Sequence, residues 1–85
     1  MPRISFFLGI AISLYYKEHA PPHFHAEYGD FEVTIEIASG IVSGRFPRRA
    51  LNLVLEWNML HKEELLKDWE LASMKLPLNQ IDPLE

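Results

Sequence analysis

The chain has 85 residues, 48% of them hydrophobic, with no cysteine and a formal charge of −4. That length makes one domain, with a core large enough to fold but short of generous stability, so a partner subunit or a homodimer would add to it. The acidic balance excludes a general affinity for nucleic-acid phosphates, and the lack of cysteine excludes disulfides, thiolate metal sites and thiol catalysis.

Residues 1–16 carry one early positive charge and an apolar stretch, but Gly9 divides that stretch and no small-residue cleavage site follows. The stretch is also far below the ~20 residues that cross a bilayer. Two strands are expected instead, about 3–7 and 10–16, rich in β-branched and aromatic residues and joined by a tight turn at Leu8-Gly9. Lys17 to Pro22 reads as a loop, because Pro21 and Pro22 cannot donate to a ladder.

Strands about 23–28 and 31–37 follow, turned by Gly29-Asp30, a pair suited to a two-residue hairpin. Counting outward, Tyr28 meets Phe31, Ala26 meets Val33 and Phe24 meets Ile35 on an apolar face. On the reverse face Glu27 meets Glu32, His25 meets Thr34 and His23 meets Glu36. A slip by one residue would carry charges into the core, so the alternation itself specifies the register. A three-residue turn at Ala38-Ser39-Gly40 leads into a short strand, about 41–44.

Pro47 suits the first position of a helix spanning about 47–60, and a second helix is expected over about 63–74. Leu51, Val54 and Leu55 form one apolar stripe; Leu65, Leu66, Trp69 and Ala72 form another, with the phase changing near His61 at the charged Lys62-Glu63-Glu64 segment. Trp57 and Trp69 fall on these stripes and are expected in the core or at helix–helix contacts, and His61 at a helix end serves as a cap or surface group. Leu78, Ile81 and Leu84 in the tail, 76–85, are placed to dock on the body. The expected fold is α+β: a five-stranded antiparallel β-meander with two C-terminal helices packed on one face.

Three of the four histidines crowd into His19-Ala-Pro-Pro-His23-Phe-His25-Ala-Glu27. On a strand, His23 and His25 stand ~6–7 Å apart on one side, near enough to share a divalent metal ion with Glu27, Glu32 or Glu36. The opposed Glu27 and Glu32 repel unless a cation or a shared proton relieves them. The same groups suit acid–base catalysis, with His23, His25 and Glu36 as candidates; the surrounding carboxylates oppose a phosphodiester substrate. A solvated polar face accounts equally for the pattern, so the residues leave open whether the protein is an enzyme and whether it holds any cofactor. Arg45, Arg48 and Arg49 stand at a helix start, where the dipole disfavours cations, and are the candidate partner-binding residues. No phosphate-binding glycine loop, His-Glu-x-x-His helix or serine nucleophile elbow occurs, which excludes the corresponding enzyme classes.

Several segments are similar to a bacterial family of unknown function, DUF4160. They are Met1 to Phe7 with Gly9, His19 to Gly29, Arg49-Ala50-Leu51 with Leu55-Glu56-Trp57, Leu60-His61 with Trp69 to Ala72, and the proline–leucine tail. The resemblance implies a small bacterial protein, often encoded beside a second small uncharacterised one in pairs regarded as toxin–antitoxin modules. It implies no activity, so it assigns no catalytic role here. The combined expectation is a cytoplasmic, non-membrane interaction component of such a two-gene module, with a small protein as partner and RNA as another candidate. The alternative is a metal-binding or metal-free hydrolase or ribonuclease using the His23/His25 face.

Overall fold

The computed structural model describes residues 2–85. Five strands form one antiparallel sheet in chain order: β1 (Arg3–Phe7), β2 (Ile10–Ser13), β3 (His23–Tyr28), β4 (Phe31–Glu36) and β5 (Val42–Arg45). Two helices follow, α1 (Arg48–Leu60) and α2 (Lys62–Ser73). This is the α+β meander that the alternation predicts.

The β3–β4 hairpin takes the expected register at every position, from Tyr28 opposite Phe31 to His23 opposite Glu36. Gly29 alone of the two turn residues has positive φ, 58°, the pattern of a type II′ turn. Phe24, Ala26, Val33, Ile35 and Ile37 are buried beneath the helices with Val54, Trp57 and Leu65. Trp57 sits at the centre, its ring 5.4 Å from Phe7 and 5.7 Å from Phe24. Its indole N–H donates to the Asp82 carbonyl at 2.8 Å, which satisfies the one polar atom that burial would otherwise strand.

Five elements differ from expectation in their bounds, α2 only by running one residue earlier than 63–74. The second strand ends at Ser13, not Tyr16: Leu14 N–H donates to the Pro2 carbonyl at 3.1 Å on the β1 side, and Pro2 has no N–H to return. β4 ends at Glu36 for the same reason: Ile37 donates to the Pro22 carbonyl at 3.0 Å, and Pro22 cannot reciprocate. The next turn holds four residues, 37–40, closed by Glu36 N–H donating to the Ile41 carbonyl, so β5 runs one residue later than expected. Pro47 caps α1 in an extended conformation (φ −58°, ψ 138°) instead of beginning it.

The helices separate at His61, whose φ of −119° leaves the helical region. His61 Nδ1 and Glu64 Oε1, 2.6 Å apart, join the entry of α2 to its first turn. The tail returns to the sheet: Ile81 N–H donates to the Ile4 carbonyl at 2.8 Å, and the Gln80 amide donates to the Arg3 carbonyl at 2.7 Å. These bonds cover part of the β1 edge that would otherwise be open to pairing with another chain.

Asp68 on α2 is fully buried. Its Oδ1 accepts the Asn79 N–H at 2.9 Å, while Oδ2 has no partner among the described residues. Burial pushes this carboxyl above the usual range, the Asn79 bond partly offsets the rise, and the Glu64 charge adds to it. A raised folded-state value means that Asp68 contributes stability below its unfolded-state value, near 4, which is lost as pH rises through the folded one. Asp68→Asn keeps the Asn79 contact and removes the charge. Its melting temperature relative to the parent is therefore expected to rise from pH 4 to pH 7, as measured by thermal circular dichroism at the two values. A constant difference would show that the buried charge has no such cost.

Candidate functional site

The helices cover one face of the sheet and leave the other open. On the open face, residues 14–22 loop back over the start of β3 and bring Glu18 to His23 and His25, with one ligand atom from each lying within 4.8 Å of the others. His25 Nε2 donates to Glu18 Oε1 at 2.6 Å, and His23 Nε2 lies 3.6 Å from Glu18 Oε2. The other ring nitrogens are also engaged. His23 Nδ1 donates to the Pro21 carbonyl at 2.8 Å, and His25 Nδ1 lies 3.3 Å from Glu32 Oε2.

Aromatic rings hold this cluster from two sides. Tyr15 meets His25 edge-on with centroids 4.2 Å apart, and Trp69 of α2 lies 5.1 Å from the His23 ring. The hydrogen bond from His25 holds the Glu18 carboxyl below the usual carboxylate range, against the opposing effect of partial burial. Burial pushes the Tyr15 phenol up, and the negative fields of Glu32, Glu27 and Glu18 add to the rise. That combination of three carboxylates around one phenol marks the face as strongly electronegative. Beside His23 a shallow cleft of about 200 Å³ is lined by Pro21, Thr34, Glu36, Ile41 and Ser43.

Of the residues singled out from the sequence, His23 and His25 come together as expected. Glu32 reaches His25 from outside the cluster, Glu36 lines the cleft, and Glu27 stands between Ala11 and Glu32 in the ladder, outside the group of three. Glu18 was not among the sequence candidates. Its only sequence signal is a carboxylate in the loop just before the histidine–proline block, and loop residues carry no periodicity from which a direction could be read.

The second feature lies at the turn end of the sheet, where the helices stop short. Tyr28 and Phe31, expected to complete a continuous covered face, are 38% and 44% exposed. A groove of about 370 Å³ runs between the β1–β2 turn and α1, lined by Leu8, Ile10, Tyr28, Pro47, Arg49, Ala50 and Leu53. The three arginines are exposed but not gathered: Arg45 belongs to β5 opposite Glu32, Arg48 and Arg49 to the first turn of α1, and Arg49 alone lines the groove. None of the three pairs with a carboxylate among the described residues.

Fold and site together define a two-layer α+β domain whose bare sheet face carries a histidine–carboxylate cluster. The chain belongs to the family described as Domain of unknown function (DUF4160), which matches it over residues 9–70 and so takes in the cluster, the groove apart from Leu8, all of α1 and most of α2. No curated protein and no solved structure matches the chain. Among the described residues no helix is long and apolar enough to cross a membrane.

Proposed function

We propose that this protein is the interaction component of a two-gene, toxin–antitoxin-like module and binds a small partner protein in the groove between the β1–β2 turn and α1. One observation carries the reading. Leu8 is held at φ 52°, in the left-handed region, and its side chain is 64% exposed. For a leucine that conformation costs about 1–2 kcal/mol, and the exposed side chain adds the cost of hydrating apolar surface. With Gly9 at φ 81° the turn has the type I′ pattern, in which Asn would be the favoured first residue. A side chain set against both preferences is accounted for by a contact with another molecule. Arg49 at the rim selects an acidic partner surface, and the apolar floor selects leucine-like side chains.

Leu8→Asn is expected to raise the stability of the isolated protein by about 1 kcal/mol while weakening capture of the neighbouring gene's product at least tenfold. Arg49→Glu is expected to weaken the same capture with no change in circular dichroism. Wild-type capture by both variants would remove the reading.

Hydrolysis or RNA cleavage on the His23/His25 face is the second reading. It is supported by the short Glu18–His25 hydrogen bond, the geometry of an oriented acid–base pair. Glu27, Glu32 and Glu36 oppose an anionic substrate there. RNA cleavage that survives chelators and is lost in His25→Ala would establish it.

A further inference from the structure

We propose that Glu18, His23 and His25 form a binding site for one divalent transition-metal ion of borderline softness, zinc or nickel in preference to magnesium or calcium. This site is separate from the partner groove and does not depend on it.

The donor set is the first ground. Two imidazole nitrogens with one carboxylate suit zinc and nickel, whereas magnesium and calcium favour all-oxygen shells. Three protein ligands also leave a coordination position open to water or a small molecule.

The second ground is the orientation of the rings. The Pro21 carbonyl can only accept, so His23 carries a proton on Nδ1, and in its neutral form Nε2 presents a lone pair towards Glu18. His25 is placed alike, with Nδ1 towards Glu32 and Nε2 towards Glu18, but its Nε2 carries the proton shared with Glu18; metal binding displaces that proton and leaves the ring proton on Nδ1, facing Glu32. A backbone carbonyl on one histidine and a carboxylate on the other are the outer contacts that fix the tautomer and raise the basicity of metal-ligating imidazoles. A histidine on a solvated face has no need of an acceptor at its far nitrogen. Here both rings have one, and both near nitrogens converge on a single carboxylate.

Distances give the third ground. Two ligands at 2.0–2.1 Å from a tetrahedral ion stand about 3.3 Å apart. The His23–Glu18 separation of 3.6 Å is already close to this. The His25–Glu18 separation of 2.6 Å is that of a hydrogen bond, whose proton occupies the line where the cation would sit. Exchange of proton for cation requires that pair to open by about 0.7 Å. Glu18 can make this movement because it lies in the loop between β2 and β3, outside every strand. Tyr15 and Trp69 pack against His25 and His23 and limit the imidazoles to small adjustments, since the ligand atoms of all three residues already lie within 4.8 Å of one another.

The assignment differs from a site built on the opposed glutamates of the hairpin. Glu18 is the carboxylate ligand, Glu32 supports His25 from outside, and Glu27 has no part. Metal-free protein titrated calorimetrically with zinc chloride, nickel chloride and magnesium chloride discriminates these roles. About one zinc or nickel ion per chain is expected, with a rise in melting temperature and no magnesium response. Glu18→Gln is expected to weaken zinc binding at least tenfold, and Glu32→Gln by roughly ten- to a hundredfold through the outer contact. Glu27→Gln is expected to leave it unchanged, and His25→Ala to abolish it. Cobalt added in place of zinc is expected to show the intense visible bands of a tetrahedral centre, lost in Glu18→Gln. Should His25→Ala fail to fold, Glu18→Gln and the cobalt spectrum carry the test, since Glu18 lies outside the sheet. No binding at millimolar zinc, wild-type affinity in Glu18→Gln, or stoichiometric binding that survives in folded His25→Ala would each overturn the assignment.

Discussion

Val33→Asp is expected to unfold the protein, whereas Thr34→Asp, one residue along β4, is expected to leave it folded. Val33 is 1% exposed, sits opposite Ala26 in the ladder and faces the helices. A carboxylate there would be buried without a cation or a donor to receive it, at a cost of about 3–5 kcal/mol. Domains of this size lie towards the lower end of the usual range of about 5–15 kcal/mol, so that cost removes most or all of the stability. Thr34 points to the open face between His25 and Ser43, where a new carboxylate keeps its water. Thermal circular dichroism of the two variants checks the expectation. Equal melting temperatures would mean that β4 does not present Val33 to the core.

A comparably large loss is expected from Gly44→Ala. Gly44 lies in β5 with φ 112°, a conformation that side chains rarely adopt. An added Cβ would stand 2.6 Å from the Glu32 carbonyl oxygen and 3.2 Å from the Val33 Cα. Both are backbone atoms of β4, which is paired on both sides and cannot yield. The dihedral strain and the overlap together are expected to cost about 2–5 kcal/mol and to detach the edge strand. Gly40→Ala supplies the comparison: φ is 78° there, but beyond its chain neighbours no atom of the described residues lies within 4 Å of the added carbon, so only the dihedral cost of about 1 kcal/mol applies. Urea denaturation of the two variants measures the difference, which is the overlap with β4. Equal losses would show that β5 can move aside.

The central hairpin was legible in full because two independent local signals agree. Residues 23–37 alternate with period two, and Gly29-Asp30 permits only a short loop, so the pairing of all six positions follows by counting. The break at His61 was legible for a similar reason, since the apolar stripe changes phase over residues that also cap a helix. The strand ends that face Pro2 and Pro22 were less so. Proline removes donors from its neighbours' ladder as well as its own position, and that effect depends on which residues face it.

At the candidate site the split is sharper. His23 and His25 share a face because a strand's alternation puts them there, and this is a property of the chain alone. Glu18 reaches them only because the loop folds back over β3, a path determined by where β2 leaves the sheet and where Tyr15 and Trp69 pack. The special status of Gly44 likewise arises from the approach of the β4 backbone, and the exposure of Leu8 and Tyr28 from the extent of α1 and α2 over the sheet. Sequence by itself determined the elements, the hairpin register and the two faces, since each rests on the conformational and hydration preferences of residues a few positions apart. Tertiary structure alone decided which carboxylate completes the histidine cluster and which apolar surface stays bare, because both depend on contacts between segments that no local periodicity relates.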